Sequence, residues 1–185
     1  MIEGSRSSDR VERSTTAQEK TGRSASGSTL AVASAGPLLV LIAFTVPLTT
    51  LTSTATALDA VPGAQAWIMS AMSVGAAAGL LGSGAIGDDY GRRRTFLAGT
   101  LLLAGSSVLG ALAPTALLLV IARILQGLAG AAIFACSLGL LGHLFPAGRE
   151  QVRATAVWAA ALGAGVAIGP VLSAGLDNLE GWRLP

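Results

Sequence analysis

Gly84-Ala-Ile-Gly-Asp-Asp-Tyr-Gly-Arg-Arg-Arg94 separates two long apolar runs. A tight turn crowded with charge, flanked on both sides by membrane-length hydrophobic segments, reads as a cytoplasmic hairpin between two transmembrane helices. Asp88 follows a helix C-terminus on this reading, where the macrodipole disfavours a carboxylate by ~0.3–1 kcal/mol. Arg92, four residues on, with Arg93 and Arg94, is placed to compensate. Gly87 and Gly91 permit the positive φ angles of a sharp turn. Such a hairpin can exchange charge partners when helices rock. A plainer reading, an arginine cluster that only fixes orientation, fits the same residues.

Working outward, the charge distribution decides the class. The chain is 52% hydrophobic and 12% charged, against roughly 25% charged in soluble domains. From Leu30 to Gly87 the sole charged residue is Asp59, from Thr95 to Gly148 it is Arg123, and Ala154 to Leu176 has none. A spanning helix needs ~20 predominantly apolar residues, and these windows supply them repeatedly. The expected architecture is an all-α membrane protein of five spanning helices, at roughly 30–52, 66–86, 95–113, 115–141 and 154–175. Strands are excluded because the runs are too long and lack alternation, and lipid admits only helices or closed barrels. Breaks are marked by Pro62-Gly63, the Gly87–Arg94 charges, Pro114 and Pro146-Ala-Gly148.

Residues 1–29 are rich in Ser, Thr, Arg and Glu with few large apolar side chains, the composition of a disordered tail. The apolar stretch Leu30–Leu51 is longer than the ~7–15-residue core of a signal peptide. The bundle is therefore taken as residues 30–185. Outside the spans, Lys and Arg fall in the tail (Arg6, Arg10, Arg13, Lys20, Arg23), the second loop and the fourth loop (Arg149, Arg153), with Arg183 alone in the C-terminal segment. That alternation places the N-terminus in the cytoplasm.

The net charge of +2 lies in loops and a tail, with no basic face interleaved with aromatics, which excludes nucleic acid as a partner. His143 is the sole histidine and Cys136 the sole cysteine. No metal-ligand cluster or Ser/His/Asp set is apparent, so no enzyme, metal or cofactor is expected. Small residues occur on every helix, as in Gly75–Gly79 and Gly127–Gly130. They allow close backbone approach, within the bundle or in a dimer.

Two further patterns carry chemistry. Arg123 lies inside the fourth span, where insertion costs about 2.5–3.5 kcal/mol. Its charge must face a partner or a polar cavity, or snorkel to the outer surface. Gln126, at i+3, shares its face. In the fifth span, Gly165-Val-Ala-Ile-Gly169-Pro170 opens a close-contact groove. Pro170 removes an amide and kinks the helix, as a seal or hinge or as ordinary membrane-helix Gly/Pro.

In this order and spacing the three patterns resemble the major facilitator superfamily. Gly84–Arg94 is similar to its loop signature Gly-x-Leu-Ala-Asp-Arg-x-Gly-Arg-Arg. Arg123-Ile-Leu-Gln126-Gly127-Leu-Ala-Gly130 resembles Arg-x-x-Gln-Gly-x-Gly/Ala, and Gly165–Pro170 resembles the antiporter signature Gly-x-x-x-Gly-Pro. Phe145-Pro146, Arg153, Trp158 and Gly181-Trp182-Arg183 resemble habits of drug:proton antiporters, especially the fourteen-helix group. The resemblance implies an exporter of small amphipathic compounds, driven by protons, in the bacterial inner membrane. It implies roles for Asp88, Gly91, Arg92 and Arg93 in a cytoplasmic charge switch. Arg123 and Gln126 would serve proton coupling, and Gly165, Gly169 and Pro170 the antiporter seal. Asp89 departs from the arginine usual there, and the first span carries Thr49, Thr50, Thr52, Ser53 and Thr54 in place of a carboxylate. The superfamily pairs two six-helix halves, so the chain is expected to be an incomplete N-terminal half whose C-terminal partner half is missing. The alternative is a non-transporting membrane interaction protein or an inactive remnant.

Overall fold

The structure is a computed structural model describing residues 27–59, 61–145 and 147–180. The chain divides into two units, Met1–Val32 and Ala33–Pro185; the packing described below is that of the second. Among the described residues there are helices and no strands. We label them α1 Gly27–Thr45, α2 Pro47–Ala57, α3 Pro62–Tyr90, α4 Arg92–Ala111, α5 Ala116–Leu144 and α6 Arg149–Glu180. Five of these (α1, α3, α4, α5 and α6 up to Gly175) are long and apolar enough to cross a membrane. The tail expectation falls largely on residues outside the described ones; Gly27–Thr29 already belong to α1.

Most helix ends run past the expected ones, as at Asp88–Tyr90 and Arg92–Arg94, where charged residues keep helical backbone, while α4 stops two residues short at Ala111 and α5 starts one residue late at Ala116. α3 starts on Pro62, at its first turn, where a missing amide costs nothing. It continues through Gly87, Asp88 and Asp89 to Tyr90, so the charged hairpin contracts to the single residue Gly91. Gly91 ends α3 and begins α4 with φ 93° and ψ 125°. A side chain is strained there, which is why glycine stands at this position. Gly87 does not use that freedom: it is helical, and its open side meets Cys136 Sγ on α5. Thr115 caps α5, its hydroxyl accepting the Leu118 amide at 3.4 Å.

The first apolar stretch is interrupted where sequence reasoning expected continuity. Val46 is a turn residue between α1 and α2, with right-handed helical φ and ψ, and Pro47 opens α2. The backbone thus keeps its helical course while losing one amide donor.

α5 is the central element, packed most extensively on α3 and then α4. At the α3–α5 crossing the two backbones touch. A Cβ on Gly75 would collide with the Ile124 carbonyl, and one on Gly127 would sit 2.6 Å from the Ala76 nitrogen and collide with the Met72 carbonyl. Around the crossing, Val40 of α1, Met72 of α3, Phe96 and Leu103 of α4, and Ala129, Ile133 and Cys136 of α5 form a buried cluster. Without a hydrophobic drive in lipid, contact of this closeness between small residues is what holds helices together.

Candidate functional site

Two buried polar side chains of α5 tie it to its neighbours. Arg123 of α5 is 8% exposed and Gln126 is 7% exposed. The Arg123 Nη1 donates to the Ala43 carbonyl of α1 at 2.7 Å and to Gln126 Oε1 at 3.3 Å. Gln126 Nε2 donates to Ser107 Oγ of α4 at 3.1 Å, and Ser107 donates to the Leu103 carbonyl at 2.7 Å. One chain of hydrogen bonds therefore joins α1, α5 and α4, three helices of membrane-spanning length. Arg123 Nε is buried without a partner. Among the described residues the one ion pair is elsewhere, so neutral oxygens hold this guanidinium.

α6 meets the same stretch of α1 from its own side. A Cβ on Gly165 would fall 2.8 Å from the Leu38 carbonyl oxygen and 3.0 Å from Leu41 Cβ. One on Gly169 would fall 3.2 Å from Ile42 Cα and collide with Thr45 Oγ1. Ser173, a turn further on, donates to the Val46 carbonyl at 3.4 Å. Pro170 lies inside α6 and is half-buried. Its ring denies a helical amide to the Val166 carbonyl.

The charged turn forms a second group. Arg92 Nη2 and Nε both donate to Asp88 Oδ1, at 2.9 and 3.2 Å. The pair is partly solvated, with side chains 33% and 64% exposed, and exposed pairs of this kind contribute ~0.2–1 kcal/mol. Arg92 also lies on α5, where a Cβ on Gly139 would collide with its guanidinium. Arg93 and Asp89 are exposed. Asp88, Tyr90, Arg92, Arg93, Arg94 and His143 line an open depression of about 570 Å³. From Gly139 to Arg123 along α5 is about 24 Å at 1.5 Å per residue, so the turn and the Arg123 network occupy opposite ends of one helix. A third tie lies between them and α6. Trp158 Nε1 donates to the fully buried Ser137 hydroxyl at 3.1 Å, and its ring stands edge-on to Phe134 at 6.4 Å.

Sequence reasoning paired Asp88 with Arg92 and Arg123 with Gln126, and the structure brings both pairs together. It did not foresee that Arg123 and the Gly165–Gly169 face converge on one α1 segment. It also missed Ser107, Ser137 and Pro47. Ser106-Ser107 in an apolar helix and Pro47 in an apolar run were visible signals for two of these. Gly181–Arg183 lie outside the described residues.

Residues 28–185 match the sequence profile of the Major Facilitator Superfamily. The chain is 37% identical over 117 residues to the multidrug resistance protein Stp of Mycobacterium tuberculosis, covering 63% of this chain and 22% of Stp. It is 39% identical over 118 residues to the multidrug efflux pump LfrA of Mycolicibacterium smegmatis, covering 64% of this chain and 23% of LfrA. It is 34% identical over 154 residues to the puromycin resistance protein pur8 of Streptomyces alboniger, covering 83% of this chain and 31% of pur8. The chain thus spans less than a third of the length of these relatives. Five membrane-length helices, the Asp88–Arg92 turn and the family match over residues 28–185 agree, and the chain belongs to the Major Facilitator Superfamily.

Proposed function

We propose that this chain forms part of a transporter that exports small amphipathic, drug-like compounds in exchange for protons by alternating access. The observation that carries the reading is Arg123, a charge buried at membrane depth and tied to α1 and α4 through neutral acceptors. An ionisable residue so placed is costly and marks a transport path by default. A guanidinium keeps its proton, so its part in coupling is electrostatic: it favours negative charge nearby and resists a second cation. Gln126 orients it. Gly165, Gly169 and Pro170 seal α6 against α1, and Asp88, Gly91, Arg92 and Arg93 form the charge switch at the other end. Stp, LfrA and pur8 are named for drug resistance or efflux, which supports the substrate class.

The positive-inside pattern supports a cytoplasmic N-terminus, and family membership supports an inner-membrane bundle preceded by a polar tail. The opposing wall of the path would come from sequence corresponding to the rest of the relatives' length. The test is efflux of fluorescent amphipathic compounds by cells producing the complete transporter. Arg123→Ala abolishes efflux while the protein still reaches the membrane, and a protonophore stops efflux by the unaltered protein. Normal export by the variant removes Arg123 from the mechanism. Export indifferent to the protonophore removes proton exchange.

A further inference from the structure

The shortest bond Arg123 makes is to a backbone oxygen, at 2.7 Å, and the position of that oxygen is informative. In an α-helix the amide of residue i bonds the carbonyl of residue i−4. The amide that belongs to the Ala43 carbonyl is therefore that of residue 47, and residue 47 is proline. The donor that α1 lacks is supplied by α5. The neighbouring carbonyls differ: Ile42 and Val46 keep their backbone amide donors, from Val46 at 3.2 Å and Thr50 at 3.3 Å, and side-chain hydroxyls add to them. Thr45 Oγ1 donates to the Leu41 and Ile42 carbonyls at 2.9 and 3.1 Å. Thr50 Oγ1 donates to the Val46 carbonyl at 3.0 Å, and Ser173 Oγ of α6 reaches the same oxygen. In lipid, a broken helix is tolerated where neighbours re-satisfy the freed groups, and Arg123 is the charged neighbour.

We propose that Pro47 is the positioning partner of Arg123: by withholding an amide it opens the Ala43 carbonyl as a fixed acceptor, so that the α1–α2 break and the buried charge of α5 form one coupled unit. Each half explains the other. The proline leaves an oxygen that needs a donor, and the arginine brings a charge that needs a neutral oxygen at that depth. With Ala43 holding one edge of the guanidinium and Gln126 bonded to the same nitrogen, the Nε edge stays uncommitted. The direction in which the charge points is thus set from α1. The pairing holds whether or not the bundle exports drugs, and stability alone tests it.

The experiment is a double-mutant cycle in the complete transporter, with thermal unfolding and folded membrane yield as readouts. The unaltered protein, Pro47→Ala, Arg123→Met and the double variant are compared. Alanine at 47 returns the amide to Ala43, so the loss of melting temperature caused by Arg123→Met falls by about half or more in the Pro47→Ala background. The same cycle with Pro170→Ala shows no such relief. If Arg123→Met does not accumulate, recovery of folded yield in the Pro47→Ala background is the supporting result. Equal or larger losses in both backgrounds, or absence of folded protein in both, overturn the pairing. Efflux by the unaltered protein is recorded separately, so failure of the transport reading leaves the cycle interpretable.

Discussion

Gly91 turns the chain in one residue between two membrane-length helices, at φ 93°. A Cβ there meets nothing within 4 Å, so any penalty for substitution is conformational and not steric. Gly91→Ala is expected to destabilise by about 1–3 kcal/mol, the range for a residue held in a sparsely populated backbone region. Thermal unfolding measures it, with Gly84→Ala, inside α3 and equally free of neighbours, as the control that stays near the unaltered value. The Asp88–Arg92 pair one turn away is too solvated to matter comparably for stability. At this scale the sequence was readable: i,i+4 spacing and a glycine before three arginines announce an ion pair and a turn. The width of the turn was not, because nothing in Gly84–Tyr90 tells a helical Gly87 from a looped one. Contact with Cys136 decides that, and Cys136 lies far along the chain.

Among elements, α6 shows how one face is singled out. Gly165 and Gly169 press on α1, while Gly163 has open space around it. Gly169→Val should therefore separate α6 from α1 and cost about 1–3 kcal/mol through overpacking, whereas Gly163→Ala should change little. Melting of the two variants side by side gives the comparison. Apolar length identified α6 and the four-residue spacing its glycines, but the residues they press upon belong to a helix more than a hundred positions earlier. The break in α1 was likewise hidden. Val46 keeps helical φ and ψ although a proline disfavours them in the residue before it, so the trace of Pro47 is a missing amide, and the replacement donor is Arg123. Reading either signal from sequence requires knowing which helices touch.

For the molecule as a whole, α5 is the most extensively packed helix among the described residues. It crosses α3 backbone to backbone at Gly75 and Gly127, where added carbons meet main-chain atoms that cannot move aside. Gly127→Leu should therefore abolish a folded, monodisperse product in gel filtration, whereas Gly105→Ala, with no neighbour within 4 Å, should leave it intact. The number of spans was legible from hydropathy because lipid imposes length directly. The hub was not, since small residues occur on every helix and only the crossing geometry ranks them.

The Arg123 network also bears on how the protein is made. Both acceptors outside its own helix, the Ala43 carbonyl and the Ser107 hydroxyl reached through Gln126, belong to helices synthesised before α5. When the ribosome delivers the arginine-bearing segment, the groups that hold it are already in the bilayer. The insertion cost of about 2.5–3.5 kcal/mol is then offset by these two groups on arrival. α6 follows, and its glycines close over an α1 segment already fixed from the other side. The order of segments along the polypeptide thus doubles as an order of assembly.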